Sequence, residues 1–151
     1  RGANDCFAYK GFQIIKITLP SNKEFFIVNT HMDAGRRTSD RSSRKEQLEQ
    51  IVSTISKRTT TAALIVAGDL NLYSKNPEDV KLLEKFKKEL KLTDAFIKHK
   101  ISEKWAILDY VLYKQGSELE FKILSVGEDK SFVTEEGPLS DHPALFIEIS
   151  I

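Results

Sequence analysis

The chain has 151 residues, 40% hydrophobic and 30% charged, with a formal net charge of +1. That balance excludes an intrinsically disordered segment and leaves enough apolar material for a sizeable core. No apolar run approaches the roughly 20 residues of a membrane-crossing helix, no signal-peptide pattern opens the chain, and the near-neutral charge argues against a broad basic footprint for duplex nucleic acid.

Cys6 is the single cysteine, so no internal disulfide forms, and a reducing, cytoplasmic setting is the mild lean that follows. The sequence opens on Arg1 rather than Met, as expected either of a processed product or of a portion of a longer protein.

Phe12 to Leu19 alternates as a strand and Glu24 to Thr30 as a second, with Pro20, Ser21 and Asn22 making the turn of a hairpin. Arg36 to Glu46 holds five basic and two acidic residues and reads as a solvated loop and helix start. Ser43 to Lys57 reads as a helix, because Leu48, Ile51, Val52 and Ile55 share one face. Ala62 to Ala67 is a continuous apolar run closed by Gly68, as in a strand buried on both faces.

Pro77 sits where a first helical turn tolerates it, and Val80, Leu83, Phe86 and Leu90 form the stripe of a second helix. Ala106 to Tyr113, Leu119 to Val126 and Ala144 to Ile149 read as three more strands. The order β-β-α-β-α-β-β-β predicts an α+β fold, a mixed sheet with helices on one side.

Polar residues gather where these strands end. Asn29, Thr30 and His31 close one strand, Asp69 and Asn71 the buried one, Asp109 lies between Leu108 and Tyr110, and Ser140, Asp141 and His142 precede the last. Singly, Asp69 reads as a turn residue, His142 before Pro143 as a loop histidine, and His31 as a polar strand end. Asp109 resists that reading, because a carboxylate within an apolar strand costs several kcal/mol unless paired or solvated.

Together these types suit attack by water on a phosphate. An Asp beside a His fixes its tautomer and stabilises the imidazolium formed when it takes a proton. A second carboxylate and an amide position nucleophile and phosphoryl oxygen, a second His meets the charge building on phosphorus, and Mg²⁺ held by carboxylates neutralises it. The chain lacks a G-x-S-x-G elbow, a Walker loop and zinc-ligand spacing.

Four segments in this order resemble the endonuclease/exonuclease/phosphatase superfamily. Asn29-Thr30-His31-Met32-Asp33-Ala34 resembles its N-T-H-x-x-A strand end and Gly68-Asp69-Leu70-Asn71 its G-D-x-N. Leu108-Asp109-Tyr110-Val111-Leu112 resembles its I-D-Y-I strand, and Ser140-Asp141-His142-Pro143 its closing S-D-H-P. The resemblance implies a metal-dependent phosphodiesterase or phosphatase using Mg, or Mn. His142 would be the general base and Asp141 would orient it, Asp69 and Asn71 would position nucleophile and phosphate, His31 would stabilise the transition state, and Asp109 would support the site.

Asp5-Cys6-Phe7-Ala8-Tyr9-Lys10-Gly11 further resembles the D-C-x-A-N-K-G segment of sphingomyelinase-like members, with Tyr9 in place of Asn. That likeness implies Asp5 and Lys10 as a pair near the substrate and favours a sphingomyelinase-like phospholipid. A DNA or RNA endo- or exonuclease shares the same core and is the alternative, for which Lys10 would be a general phosphate contact. A non-catalytic binding module retaining the fold is the alternative of another class.

The superfamily fold is a four-layer α/β/β/α sandwich, of which residues 1–151 match the C-terminal half. The N-terminal half, with an early Asn and the Glu that is the main metal ligand, is absent from this chain, and Asp141 is left as a candidate metal contributor. An open sheet face is therefore expected to be covered by that missing half or by another chain. The stretch from Asp94 to Asp109 is shorter than in members that carry a Thr-Trp element before that strand; either Trp105 is its remnant or residues are missing between Lys100 and Trp105, and Leu108 stands where many members have Arg.

Overall fold

The computed structural model describes residues 10–58, 61–98 and 108–151. In chain order the elements are β1 (Phe12–Thr18), β2 (Glu24–His31), α1 (Thr38–Arg58), β3 (Ala63–Asp69), α2 (Pro77–Leu90), β4 (Thr93–Asp94), α3 (Ala95–Lys98), β5 (Asp109–Lys114), β6 (Lys122–Glu128), β7 (Val133–Thr134), β8 (Gly137–Pro138) and β9 (Leu145–Ser150). Five strands form the main sheet in the order β1-β2-β3-β5-β4. Among the described strands only β2 and β3 run parallel, joined by α1 as the crossover that a parallel pair requires. Among the described residues no helix is long and apolar enough to cross a membrane.

The two-residue period of the strands builds two apolar faces. Ile14, Phe26, Val28, Leu64, Val66 and Leu112 turn toward α1 and α2. Their neighbours Ile17, Phe25, Ile27, Ala63, Ile65, Val111 and Tyr113 turn the other way. The run Ala63 to Val66 is buried throughout because β3 is covered on both sides. Leu48, Ile51 and Ile55 of α1 are at most 4% exposed; such side chains contribute about 1.5–3 kcal/mol each on burial.

Both main helices differ instructively from the periodicity reading. α1 starts at Thr38, five residues before Ser43, because its buried face continues through Arg44 and Asp40. α2 begins as Pro77 suggests, with the Asn76 side chain accepting from the Glu78 and Asp79 N–H groups at 2.9 and 3.2 Å. Its buried stripe is Asp79, Leu83, Phe86 and Leu90, whereas Val80 is 38% exposed. Charged residues thus hold core positions that an apolar template skips.

The two long helices, α1 and α2, do lie on one face of the mixed and mostly antiparallel α+β sheet, whereas Ala95 of the short α3 packs with the second apolar face. The last two long strands do not extend that sheet, however. β6 and β9 pair with each other as a separate antiparallel ribbon. Ile123, Val126, Ile147 and Ile149 pack that ribbon against the second apolar face. Leu119 and Phe121 are buried ahead of β6 rather than in it, with the Gln115 side chain bridging the Phe121 N–H and C=O. The sheet face expected to be open is thus covered in part by the ribbon, on which Leu124 and Phe146 stay 51% and 41% exposed.

Candidate active site

The strand registers place His31 beside Asp69 and Asp69 beside Asp109. Three neighbouring strands therefore end one rim of the sheet with a His-Asp-Asp row. Register partners share a face, and these odd-numbered positions face away from α1 and α2. The row lies on the side that carries the ribbon. Gly68 permits the close approach of β3 to β2, since a Cβ there would stand 2.0 Å from the Thr30 carbonyl oxygen, and its φ is +133°.

His31 Nε2 lies 3.4 Å from Asp69 Oδ2, with the His31 side chain 61% exposed and that of Asp69 13% exposed. Asp69 Oδ1 accepts the Asn71 N–H at 2.8 Å, in a turn where Asn71 takes φ +50°. The Asn71 amide Nδ2 donates to the Met32 carbonyl at 3.1 Å, so this buried side chain ties the end of β2 to the end of β3. Tyr110 Oη donates to the Leu72 carbonyl at 2.7 Å and fixes the following turn. Burial above all, and then the charge of Asp109, holds the Asp69 carboxyl above the usual carboxylate range; the Asn71 N–H, His31 and His142 work against that shift.

The loop leading into β9 delivers His142, whose Nδ1 is 2.6 Å from Asp109 Oδ2. With Asp109 ionised, Nδ1 carries the proton and donates it, which leaves the Nε2 lone pair free. The hydrogen bond to Asp109 raises the His142 pKa above its ordinary 6.5; partial burial opposes this, and the charges of Asp109, Asp69 and Asp141 add to it. In an NMR titration, the His142 ring is expected to show a midpoint above that of an ordinary histidine, and Asp109→Asn should lower it. An unmoved midpoint in the variant would contradict the pairing. By the same linkage, the pair's contribution to stability is full below the ordinary histidine range and fades as pH rises through the folded-state value.

The structure therefore brings His31, Asp69, Asp109 and His142 together, with Asn71 as a brace behind them. It also corrects one expected pairing. The carboxylate against the His142 ring belongs to Asp109, whereas Asp141 is exposed and acts on that ring only through its charge. Asp109 gains this place because β5 ends in register with β3, a contact between distant segments that spacing alone does not reveal. Lys10 lies next to Gly11, whose carbonyl accepts the Thr30 hydroxyl at 2.9 Å, so it approaches the His31 end of the rim. Asp5 lies outside the described residues, as do Lys100 and Trp105.

Asp69, Asp109 and His142 also form a group whose ligand atoms lie within 4.8 Å of one another. Two adjacent carboxylates offer hard oxygens, and Mg²⁺ is commonly held by one or two such groups plus waters and substrate phosphate. Burial keeps Asp69 prone to protonation and the like charge of Asp109 adds to it; a divalent cation would offset that like charge. His142 Nδ1 is committed to Asp109, so the oxygens are the fitting donors.

Comparison with known proteins follows the same lines. Residues 1–98 match the family model described as Endonuclease/Exonuclease/phosphatase family 2. Among solved structures, TDP2 of D. rerio complexed with a single-strand DNA product is 14% identical at a TM-score of 0.72, over 94% of this chain and 62% of that one. The human nocturnin catalytic domain with bound sulfate is 24% identical at 0.67, over 93% and 52%. A Staphylococcus aureus beta toxin with bound magnesium ions is 16% identical at 0.52, over 92% and 54%. At these identities the likeness shows the fold, and the chain spans about half the length of the structures it matches. The curated proteins contain no match to the chain.

Proposed function

Because the chain belongs to the endonuclease/exonuclease/phosphatase family, a family of phosphoester hydrolases, we propose that it supplies the catalytic rim of a phosphodiesterase that uses water and a divalent cation. The observation that carries this reading is the in-register row of His31, Asp69 and Asp109 with His142 seated 2.6 Å from Asp109. His142 Nε2 takes a proton from water while Asp109 stabilises the imidazolium. His31, exposed beside Asp69, meets negative charge as it grows on the phosphoryl oxygens. Asn71 keeps the ends of β2 and β3 in step, so the row holds its spacing.

Asp69 and Asp109 would hold Mg²⁺ or Mn²⁺, with Asp141 a further contributor. Such a cation supplies Lewis-acid polarisation of the phosphoryl oxygens and offsets the charge of the carboxylates. The magnesium ions in the beta toxin support that choice of metal by fold alone. On this reading residues 1–151 are the C-terminal half of the catalytic domain, and a preceding half brings the main metal ligand and covers the rest of the second face. A sphingomyelinase-like phospholipid and a nucleic acid both present the required diester. Of the segment favouring the lipid, only Lys10 and Gly11 lie among the described residues, while the TDP2 complex with DNA product supports the nuclease alternative by fold alone.

The test is hydrolysis of bis(p-nitrophenyl) phosphate, sphingomyelin and nicked DNA with Mg²⁺, with Mn²⁺ and with EDTA, using the chain within its full-length gene product. Turnover with either cation and none in EDTA is the expected result. Turnover indifferent to EDTA would remove the metal from the mechanism. No turnover from a folded full-length product would leave a binding module that keeps the fold.

A further inference from the structure

Tyr110 follows Asp109 in β5 and turns its ring to the opposite side, into the core beneath α1 and α2, where it is buried. Its hydroxyl lies 2.7 Å from the Leu72 carbonyl oxygen, to which it donates. Burial above all, and then the charges of Asp94, Asp79 and Asp69, push the phenol pKa above its ordinary value, so the hydroxyl stays protonated and remains a donor. The residue on the other side of Asp109 holds the same turn, since the Leu108 carbonyl accepts the Leu70 N–H at 2.8 Å. Three consecutive residues of β5 thus hold Leu70, meet His142 and hold Leu72.

The turn held in this way is the one that aims Asp69. Asn71, between the two anchor points, takes φ +50° and donates its N–H to Asp69 Oδ1 at 2.8 Å. Its side chain crosses to the Met32 carbonyl at 3.1 Å. With Oδ1 committed to Asn71, Oδ2 is left toward His31 Nε2, 3.4 Å away. A left-handed backbone at a residue other than glycine persists only where its surroundings hold it. Without the Tyr110 hydroxyl, the carbonyl of buried Leu72 loses that donor, and a buried carbonyl short of a partner turns toward another. Relaxation at Leu72 then frees Asn71 to leave its left-handed conformation and loosens the bond from its N–H to the carboxylate.

We infer that Tyr110 is a positioning residue for Asp69: its hydroxyl, through the Leu72 carbonyl and the Asn71 turn, keeps one carboxylate oxygen on Asn71 and the other facing His31. The inference rests on the hydrolytic reading of the row and adds to it a residue from the opposite face of the sheet. An Asp69 side chain free to change rotamer no longer presents an oxygen at a fixed place beside His31 and Asp109. Misplacement of a working group by about 1 Å costs up to about 100-fold in rate, even when its cause lies away from the reacting atoms.

Tyr110→Phe in the full-length protein is the test, because it keeps the packing of the ring and removes only the hydroxyl. NMR in EDTA reads the positioning without metal or turnover. Three-bond couplings to Asp69 Cγ should report one rotamer in the wild type and an average of rotamers in Tyr110→Phe. With Mn²⁺ present, kcat for bis(p-nitrophenyl) phosphate should fall about 10–100-fold while KM stays within about twofold. Phe86→Leu, which loosens the same apolar core away from the turn, should leave the couplings and kcat as in the wild type. A single Asp69 rotamer in Tyr110→Phe, an unchanged kcat, or an equal fall in Phe86→Leu would overturn the positioning role. A protein that hydrolyses nothing removes the hydrolytic reading, and the couplings still decide whether Tyr110 aims Asp69.

Discussion

His142→Ala should lower metal-dependent hydrolysis of bis(p-nitrophenyl) phosphate by about 10²–10⁴-fold, the usual span for losing a general base. The expectation follows from the orientation of one ring. Asp109 holds Nδ1 at 2.6 Å, which fixes Nε2 as the nitrogen able to take a proton from water. The row of carboxylates beside it makes the imidazolium easier to form, as the raised pKa of His142 shows.

Asp109→Asn should lose a large part of the same factor, because an amide no longer stabilises the charged ring. The double variant should then be scarcely worse than His142→Ala alone, as for groups that act as a unit. The His142 side chain is 34% exposed, so its removal should cost about 1 kcal/mol of stability at most, the scale of the one hydrogen bond lost. Loss of activity without loss of fold is thus the signature, read from steady-state kinetics beside a urea melt. An active His142→Ala protein, or strictly additive losses, would require another base.

Elements that bury a regular apolar face were legible in the sequence, and those that bury charge were not. β1, β2 and β3 show the alternation or the continuous apolar run that their surroundings demand, and their ends fall within two residues of expectation. Apolar periodicity starts α1 five residues late, because the core-facing residue of the turn it omits is Asp40. The same periodicity puts Val80 in the stripe of α2, whereas Asp79 holds the slot. The ribbon of β6 and β9 has the strand pattern, but nothing in a period of two says which sheet a strand joins.

The site divides in the same way. His31, Asp69 and Asp109 announce themselves as polar residues at the ends or beginning of apolar strands. Their adjacency depends on register, and register depends on which strands become neighbours. The pairing of His142 with Asp109 rather than Asp141 spans 33 positions and four strands, β5 to β8. It depends on where the ribbon of β6 and β9 packs, because His142 lies in the loop leading into β9. The basic segment from Arg36 to Glu46 reads as a solvated loop and helix start, yet its Arg44 is buried. A helical face continued backwards from Leu48 by four residues lands on Arg44, and by eight on Asp40, which is the signal that was available.

That inward arginine supports the largest stability prediction: Arg44→Met should cost about 3–5 kcal/mol in urea unfolding, the usual penalty for breaking a buried pair from one side. Arg44 and Asp79 are 0% and 1% exposed, with Nη2 3.3 Å from Oδ1. Nη1 also donates to the carbonyls of Asp33 and Gly35 at 3.0 and 2.9 Å. Asp79 Oδ2 accepts the Tyr73 N–H at 3.3 Å. One guanidinium therefore ties the loop after β2 to the start of α2 and, through Asp79, to the turn after Asn71. Its removal leaves a carboxylate and two carbonyls buried with fewer partners.

Asp79→Leu should cost at least as much, because a buried guanidinium has no neutral form to adopt. Arg44 Nε already lacks a hydrogen-bond partner among the described residues, so that side chain has little left to compensate with. Replacing both by Met and Leu removes the two charges together and should recover more than half of the single-variant loss, since a well-packed apolar pair is often as stable as a buried ionic one. A loss below about 1 kcal/mol in either single variant, the range of an exposed ion pair, would show that water reaches the pair.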